Sequence, residues 1–91
     1  MNNTRRKQIR EIMARMEAMK EQFESLKEDL ETIMDDEQEA FDNLPESLQE
    51  SERGETMQNA CDSMEGVLDT IDELMDCVDS SVSELEEIVE F

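Results

Sequence analysis

The sequence predicts an all-α protein: an antiparallel two-helix coiled-coil hairpin that dimerises into a four-helix bundle. Three observations predict it. Residues 57–89 carry an unbroken 3-4 hydrophobic repeat: Met57, Cys61, Met64, Leu68, Ile71, Met75, Val78, Val82, Leu85 and Val89. That spacing is a heptad seam. A second seam runs through the first half, and the one proline, Pro45, stands between the two.

The composition agrees. Ninety-one residues allow one small domain, spanning 1–91. Charged residues make up 38% and aromatics 3%, so no conventional globular core is available, and the pattern is that of a long helix or coiled coil. The formal net charge is −19. It is unevenly spread. Residues 1–27 hold seven basic and four acidic side chains; residues 28–91 hold one basic residue, Arg53, and 23 acidic ones. No run is apolar enough to span a membrane and no signal-peptide pattern appears, so a cytoplasmic location is expected. Cys61 and Cys77 sit about 24 Å apart along one helix, too far to bond to each other. They read as reduced thiols.

Helix 1 is expected over about 4–43, with Asn3 or Thr4 as N-cap. Its seam is Ile9, Ile12, Met16, Met19, Phe23, Leu26, Leu30 and Ile33, then Glu37, Ala40 and Leu44. Met13, Met34 and Phe41 widen it on the e side. Glu37, the one charged seam residue, is expected to escape into solvent, because a buried unpaired carboxylate is costly. Arg5, Arg6 and Lys7 open the helix, where its dipole disfavours cations.

The turn is expected over about 44–51. Pro45 pushes Leu44 out of the helical region and can open a helical turn itself. Ser47 with Glu50 has capping-box spacing, and Ser51 is a second N-cap candidate.

Helix 2 follows over about 52–90. In its last turn Glu86, Glu87 and Glu90 oppose the dipole, as the cations of helix 1 do at the other end. An antiparallel hairpin relieves both by placing these ends side by side. Pairing Ile9 with Leu85, Ile12 with Val82 and Met16 with Val78 centres the hairpin at residue 47. A register one heptad along centres it between 50 and 51. The rod would be roughly 55–60 Å long. Both stripes are three positions wide, with Ala60, Val67, Leu74 and Ile88 widening the second. That is a bundle pattern rather than a two-stranded one, so a homodimer is expected. Its seam would be Ile12, Met16, Met19, Phe23, Leu26, Leu30 and Ile33 with Met64, Leu68, Ile71, Met75, Val78, Val82 and Leu85.

The most informative feature is a ladder of acids on the outer b and e positions of helix 2: Asp62, Glu65, Asp69, Asp72, Asp76, Asp79, Glu86 and Glu90, interrupted at Ser83. An ordinary exposed helix mixes signs, because i,i+4 pairs of opposite charge help and like pairs hurt. Helix 1 offers such pairs in Glu11–Arg15 and Lys20–Glu24. Residues 55–91 hold twelve acids and no lysine or arginine. Self-repulsion on that scale lowers stability, which points to a role beyond solubility. A dimer would carry −38, twice the chain's −19, along roughly 60 Å. That is about one net charge per 1.6 Å, against one per about 1.7 Å of duplex DNA.

Other chemistry finds less support. The stripe methionines read as core filling. Arg5, Arg6, Lys7 and Arg10 are expected to pair with acids of helix 2 rather than bind RNA, and direct DNA binding is not expected. Cys77 borders the stripe without a neighbour that would activate it. There is no histidine, no phosphate-binding glycine loop and no nucleophile beside a base. Asp35-Asp36-Glu37 lacks the spacing of a calcium loop. No enzyme, cofactor or metal is expected.

The segment Asp42-Asn43-Leu44-Pro45-Glu46-Ser47-Leu48-Gln49-Glu50-Ser51-Glu52-Arg53-Gly54-Glu55 resembles the turn of small acidic helical-hairpin hypothetical proteins of phages and mobile elements of Gram-positive bacteria. The resemblance implies an accessory protein in a bacterial host's cytoplasm, of a kind that often inhibits host defence. The expected function is therefore a non-enzymatic nucleic-acid mimic that blocks a basic host DNA- or RNA-binding protein, in the anti-CRISPR manner. The alternative is a coiled-coil adaptor whose acids only solvate it.

Overall fold

A computed structural model of the chain describes residues 1–90. It contains α1 (Asn3–Asp42), α2 (Glu46–Gln49) and α3 (Glu52–Glu90), with no strand among the described residues. The helix limits fall within a residue or so of those expected; Phe91 lies outside the described residues.

Helix α1 starts one residue earlier than expected. Asn2, not Asn3 or Thr4, is the cap: its Oδ1 accepts the Arg5 amide at 2.8 Å, and its carbonyl accepts the Arg6 amide at 3.1 Å. Three capping residues stand in a row here. The helix extends to the first that can serve, which frees Asn3 Oδ1 to accept from Arg6 Nη1 at 3.2 Å. No acid lies in the first turn of α1 and no base in the last turn of α3. Both termini oppose their dipoles, as the sequence indicates.

The turn departs from the expected capping scheme. Pro45, at φ −56° and ψ 145°, is itself the cap of α2. Its carbonyl accepts from Leu48 at 2.8 Å and Gln49 at 3.1 Å. Ser47 is thus already inside α2 and Glu50 just past its end, so no capping box forms. Ser51 stands before α3, and its carbonyl accepts the Glu55 amide at 3.0 Å. Its hydroxyl turns back to the Leu48 carbonyl instead of capping α3.

The structural work in the turn falls to two residues of no obvious importance in the sequence. Gln49 Nε2 donates to the carbonyls of Phe41 (3.2 Å), Asp42 (3.4 Å) and Leu44 (3.2 Å). It thereby ties together carbonyls at and just past the end of α1, of which that of Phe41 also accepts the Leu44 amide at 3.0 Å. Gly54 is buried in the first turn of α3, directly against the Gln49 backbone.

The chain divides into two compact units. One is Leu26–Ile71: the second part of α1, the turn and the start of α3. Its core holds Cys61, Leu68 and Ile71, each no more than 9% exposed. The Cys61 thiol donates weakly to the Met34 carbonyl at 3.9 Å. The other unit is Met1–Ser25 with the chain from Asp72 onward. Val89 is buried there, and Met16, Phe23, Met75, Val78, Val82 and Leu85 are half-buried.

In both units α1 is rotated relative to the a/d expectation. Its half-buried positions are mainly a and e: Arg6, Ile9, Met13, Met16, Lys20 and Phe23 in one unit, Lys27, Leu30, Met34, Glu37 and Phe41 in the other, where Glu31 and Gln38 at b are half-buried too. The d residues Ile12, Met19, Leu26 and Ile33 remain 46–56% exposed. On α3 both a and d face inward, and the exposed apolar residues are Val67, Leu74 and Ile88 at g. Ile12 is therefore not part of the intrachain seam, and Glu37 stays half-buried rather than escaping to solvent. The contacts Met34–Cys61 and Lys20–Asp79 reflect about positions between 47 and 50. That lies between the two registers the sequence offers.

Candidate functional site: an acidic ladder beside uncovered apolar positions

Two surface features of α3 follow from its heptad pattern. With a and d turned inward, b and e form one flank, and c, f and g the other. All eight ladder acids are exposed: Asp62, Glu65 and Asp69 in one unit, Asp72, Asp76, Asp79, Glu86 and Glu90 in the other. From Asp62 to Asp79 consecutive rungs are three or four residues apart, a rise of about 5 Å per rung; the gap at Ser83 separates Asp79 from Glu86 by seven residues.

One rung is engaged. Lys20 Nζ binds both carboxylate oxygens of Asp79, at 2.8 and 3.1 Å. The Lys20 side chain is 30% exposed and that of Asp79 49%. The hydrogen bond to Asp79 raises the Lys20 pKa above its ordinary 10.5. The intrahelical Lys20–Glu24 pair suggested by spacing gives way to this cross-helix one. Lys27 instead pairs with Glu31 at 4.0 Å along α1. Asp79 is thus a bridge to α1 as well as a rung.

The N-terminal cations Arg5, Lys7 and Arg10 are exposed, and Arg6 is half-buried. Burial pushes the Cys61 thiol above its ordinary 9.0, helped by the negative charges of Glu37, Asp62 and Asp42. Cys77 is exposed. Among the described residues no three metal-binding side chains converge, and no helix is long and apolar enough to cross a membrane.

The second feature is apolar. In the Leu26–Ile71 unit, Leu26, Leu30 and Ile33 of α1 and Val67 and Ile71 of α3 line an open groove of about 380 Å³, with Asp29 at its edge. In the other unit Ile12, Met19, Leu74 and Ile88 stand 41–51% exposed. The heptad pattern predicts stripes too wide for one hairpin, but not which positions stay uncovered. No family model, curated protein or solved structure matches the chain.

Proposed function

We propose that the protein is a non-enzymatic, homodimeric acidic binding protein that mimics nucleic acid and occupies the cationic groove of a basic DNA- or RNA-binding host protein. The observation that supports this most is the exposed, one-signed ladder of α3 in a region without lysine or arginine. A groove built to hold phosphates offers lysines and arginines at fixed spacing. A helical row of carboxylates satisfies them, and releases counterions as DNA does. The resemblance of the turn segment to phage and mobile-element hairpins supports a bacterial cytoplasm and an anti-defence role of the anti-CRISPR type.

The exposed apolar positions support the dimer. Each half-exposed leucine, isoleucine or valine forgoes about 1 kcal/mol of burial. Seven of them per chain, including Met19, exceed what a solitary hairpin has reason to show. A structural adaptor is the second reading, and the same apolar positions favour it.

The test is neutralisation of Glu65, Asp69, Asp72 and Asp76 to Gln or Asn. The original protein should retain basic proteins from a bacterial lysate at low salt and release them to added duplex DNA. The neutralised protein should retain far less. Equal retention by both, insensitive to DNA, would leave the adaptor reading.

A further inference from the structure

The Leu26–Ile71 unit holds a surface that the acidic ladder does not account for. Its groove is apolar along both walls, with Leu26, Leu30 and Ile33 on α1 and Val67 and Ile71 on α3. Leu26, Ile33 and Val67 are 50–56% exposed, so packing within the hairpin leaves them in water. A trough between two antiparallel helices is the shape that takes a third helix, through apolar side chains at every third and fourth position.

The two edges of the groove differ in charge. Asp29 stands at the edge on the α1 side. Asp36 lies one heptad further along the same face. Both are exposed, and neither is in an ion pair among the described residues. On the α3 side the positions outside Val67 are Ser63 and Thr70, exposed and uncharged. The Thr70 hydroxyl donates to the Gly66 carbonyl at 3.1 Å.

This charge pattern decides the occupant. Residues 26–71 carry fifteen acids against two cations, Lys27 and Arg53. A second copy seated by the same face would bring Asp29 and Asp36 against acids of its own. Nucleic acid would be repelled. A helix with cations along one edge of its apolar stripe is drawn in by both features. We propose that the groove receives an amphipathic helix of a cationic protein partner. Its apolar side chains lie between Ile33 and Val67, and two lysines or arginines, seven residues apart, meet Asp29 and Asp36.

The inference goes beyond the ladder reading and does not depend on it, because Asp62, Glu65 and Asp69 occupy the other flank of α3. The homodimer reading then draws on the apolar positions of the other unit, Ile12, Met19, Leu74 and Ile88. There the α1 positions equivalent to Asp29 are Gln8, Arg15 and Gln22, none of them acidic.

The test uses the full chain and a labelled synthetic peptide of about 18 residues, some five helical turns. The peptide carries leucine at every third and fourth position, lysines seven residues apart on one edge, and alanine or glutamine elsewhere. Binding is read by fluorescence anisotropy, with circular dichroism showing that each variant keeps the helicity of the original. Asp29→Asn with Asp36→Asn should weaken binding about fivefold, as loss of two partly exposed pairs does. Leu26→Gln with Ile33→Gln should weaken it about tenfold or more through lost apolar burial. Glu65→Gln with Asp69→Asn removes the same charge from the ladder flank and should change binding little. Equal weakening by the two neutralised pairs would mean that the peptide follows overall charge, and would overturn the groove assignment. So would binding indifferent to Leu26→Gln with Ile33→Gln, or no binding by the original up to about 100 µM, weaker than the affinity such a docked helix implies.

Discussion

Gly54 packs so closely on Gln49 that a Cβ at residue 54 would overlap the Gln49 carbonyl group and come within 2.8 Å of its Cα. Gln49 meanwhile holds the end of α1 through its side-chain amide. The two residues join the end of one long helix to the start of the next. Gly54→Ala should cost about 1–3 kcal/mol, because backbone rather than a flexible side chain must yield. Gln49→Ala should cost about 1 kcal/mol for the lost side-chain bonds across the turn. Thermal melts would show both. Unchanged melting in Gly54→Ala would mean the turn is looser than described.

Much of the fold is legible in the sequence, because the heptad spacing and Pro45 leave few alternatives. The rotation of α1 is not. Its e column holds Met13, Met34 and Phe41 together with Lys20 and Lys27, whose long stems also cover apolar surface. Its d column is wholly apolar and reads as the better seam. Lys20, on the e column, also reaches Asp79, a partner 59 residues away that no local pattern shows. Gln49 escapes notice for the same reason, since its acceptors lie across the turn. The ladder itself was legible throughout, because strict periodicity fixes a helix flank once the seam is known.

Screening should stabilise the protein. The Debye length falls from about 10 Å at 0.1 M salt to about 3 Å at 1 M, and repulsion among the carboxylates of α3 falls with it. The melting temperature should rise across that range of sodium chloride. A falling curve would mean that attractive pairs such as Lys20–Asp79 outweigh the repulsion.

Alkaline pH should act in the opposite direction. The folded chain holds the Cys61 proton more tightly than the ordinary 9.0 and the Lys20 proton more tightly than 10.5. The folded state therefore binds more protons than the unfolded one above these values, and stability declines there. Melting temperature should be flat from pH 7 to 8.5, then drop as pH rises through 9 and again beyond 10.5. Cys61→Ala should melt lower at neutral pH yet lose the first part of the decline. An identical decline in Cys61→Ala would remove the thiol from the account.

Lys20→Met keeps the stem that covers the seam and deletes the charge. It should melt slightly lower at neutral pH, since partly exposed pairs contribute little. The difference from the original should narrow as pH rises beyond 10.5, because the folded chain holds the Lys20 proton more tightly than the unfolded one and that contribution is lost with the proton. A difference as large at pH 11.5 as at pH 7 would assign the effect to packing rather than to the pair with Asp79.

The central claim is that the α3 ladder stands in for phosphates. The most direct measurement is competition: basic proteins captured from a bacterial lysate are challenged with duplex DNA. The original chain and the Glu65, Asp69, Asp72, Asp76 neutralised chain are compared, with circular dichroism confirming equal helicity. The account predicts that DNA displaces the original from its target, that high salt does the same, and that neutralisation weakens binding by orders of magnitude. Undiminished binding by the neutralised chain, indifferent to DNA, would contradict it.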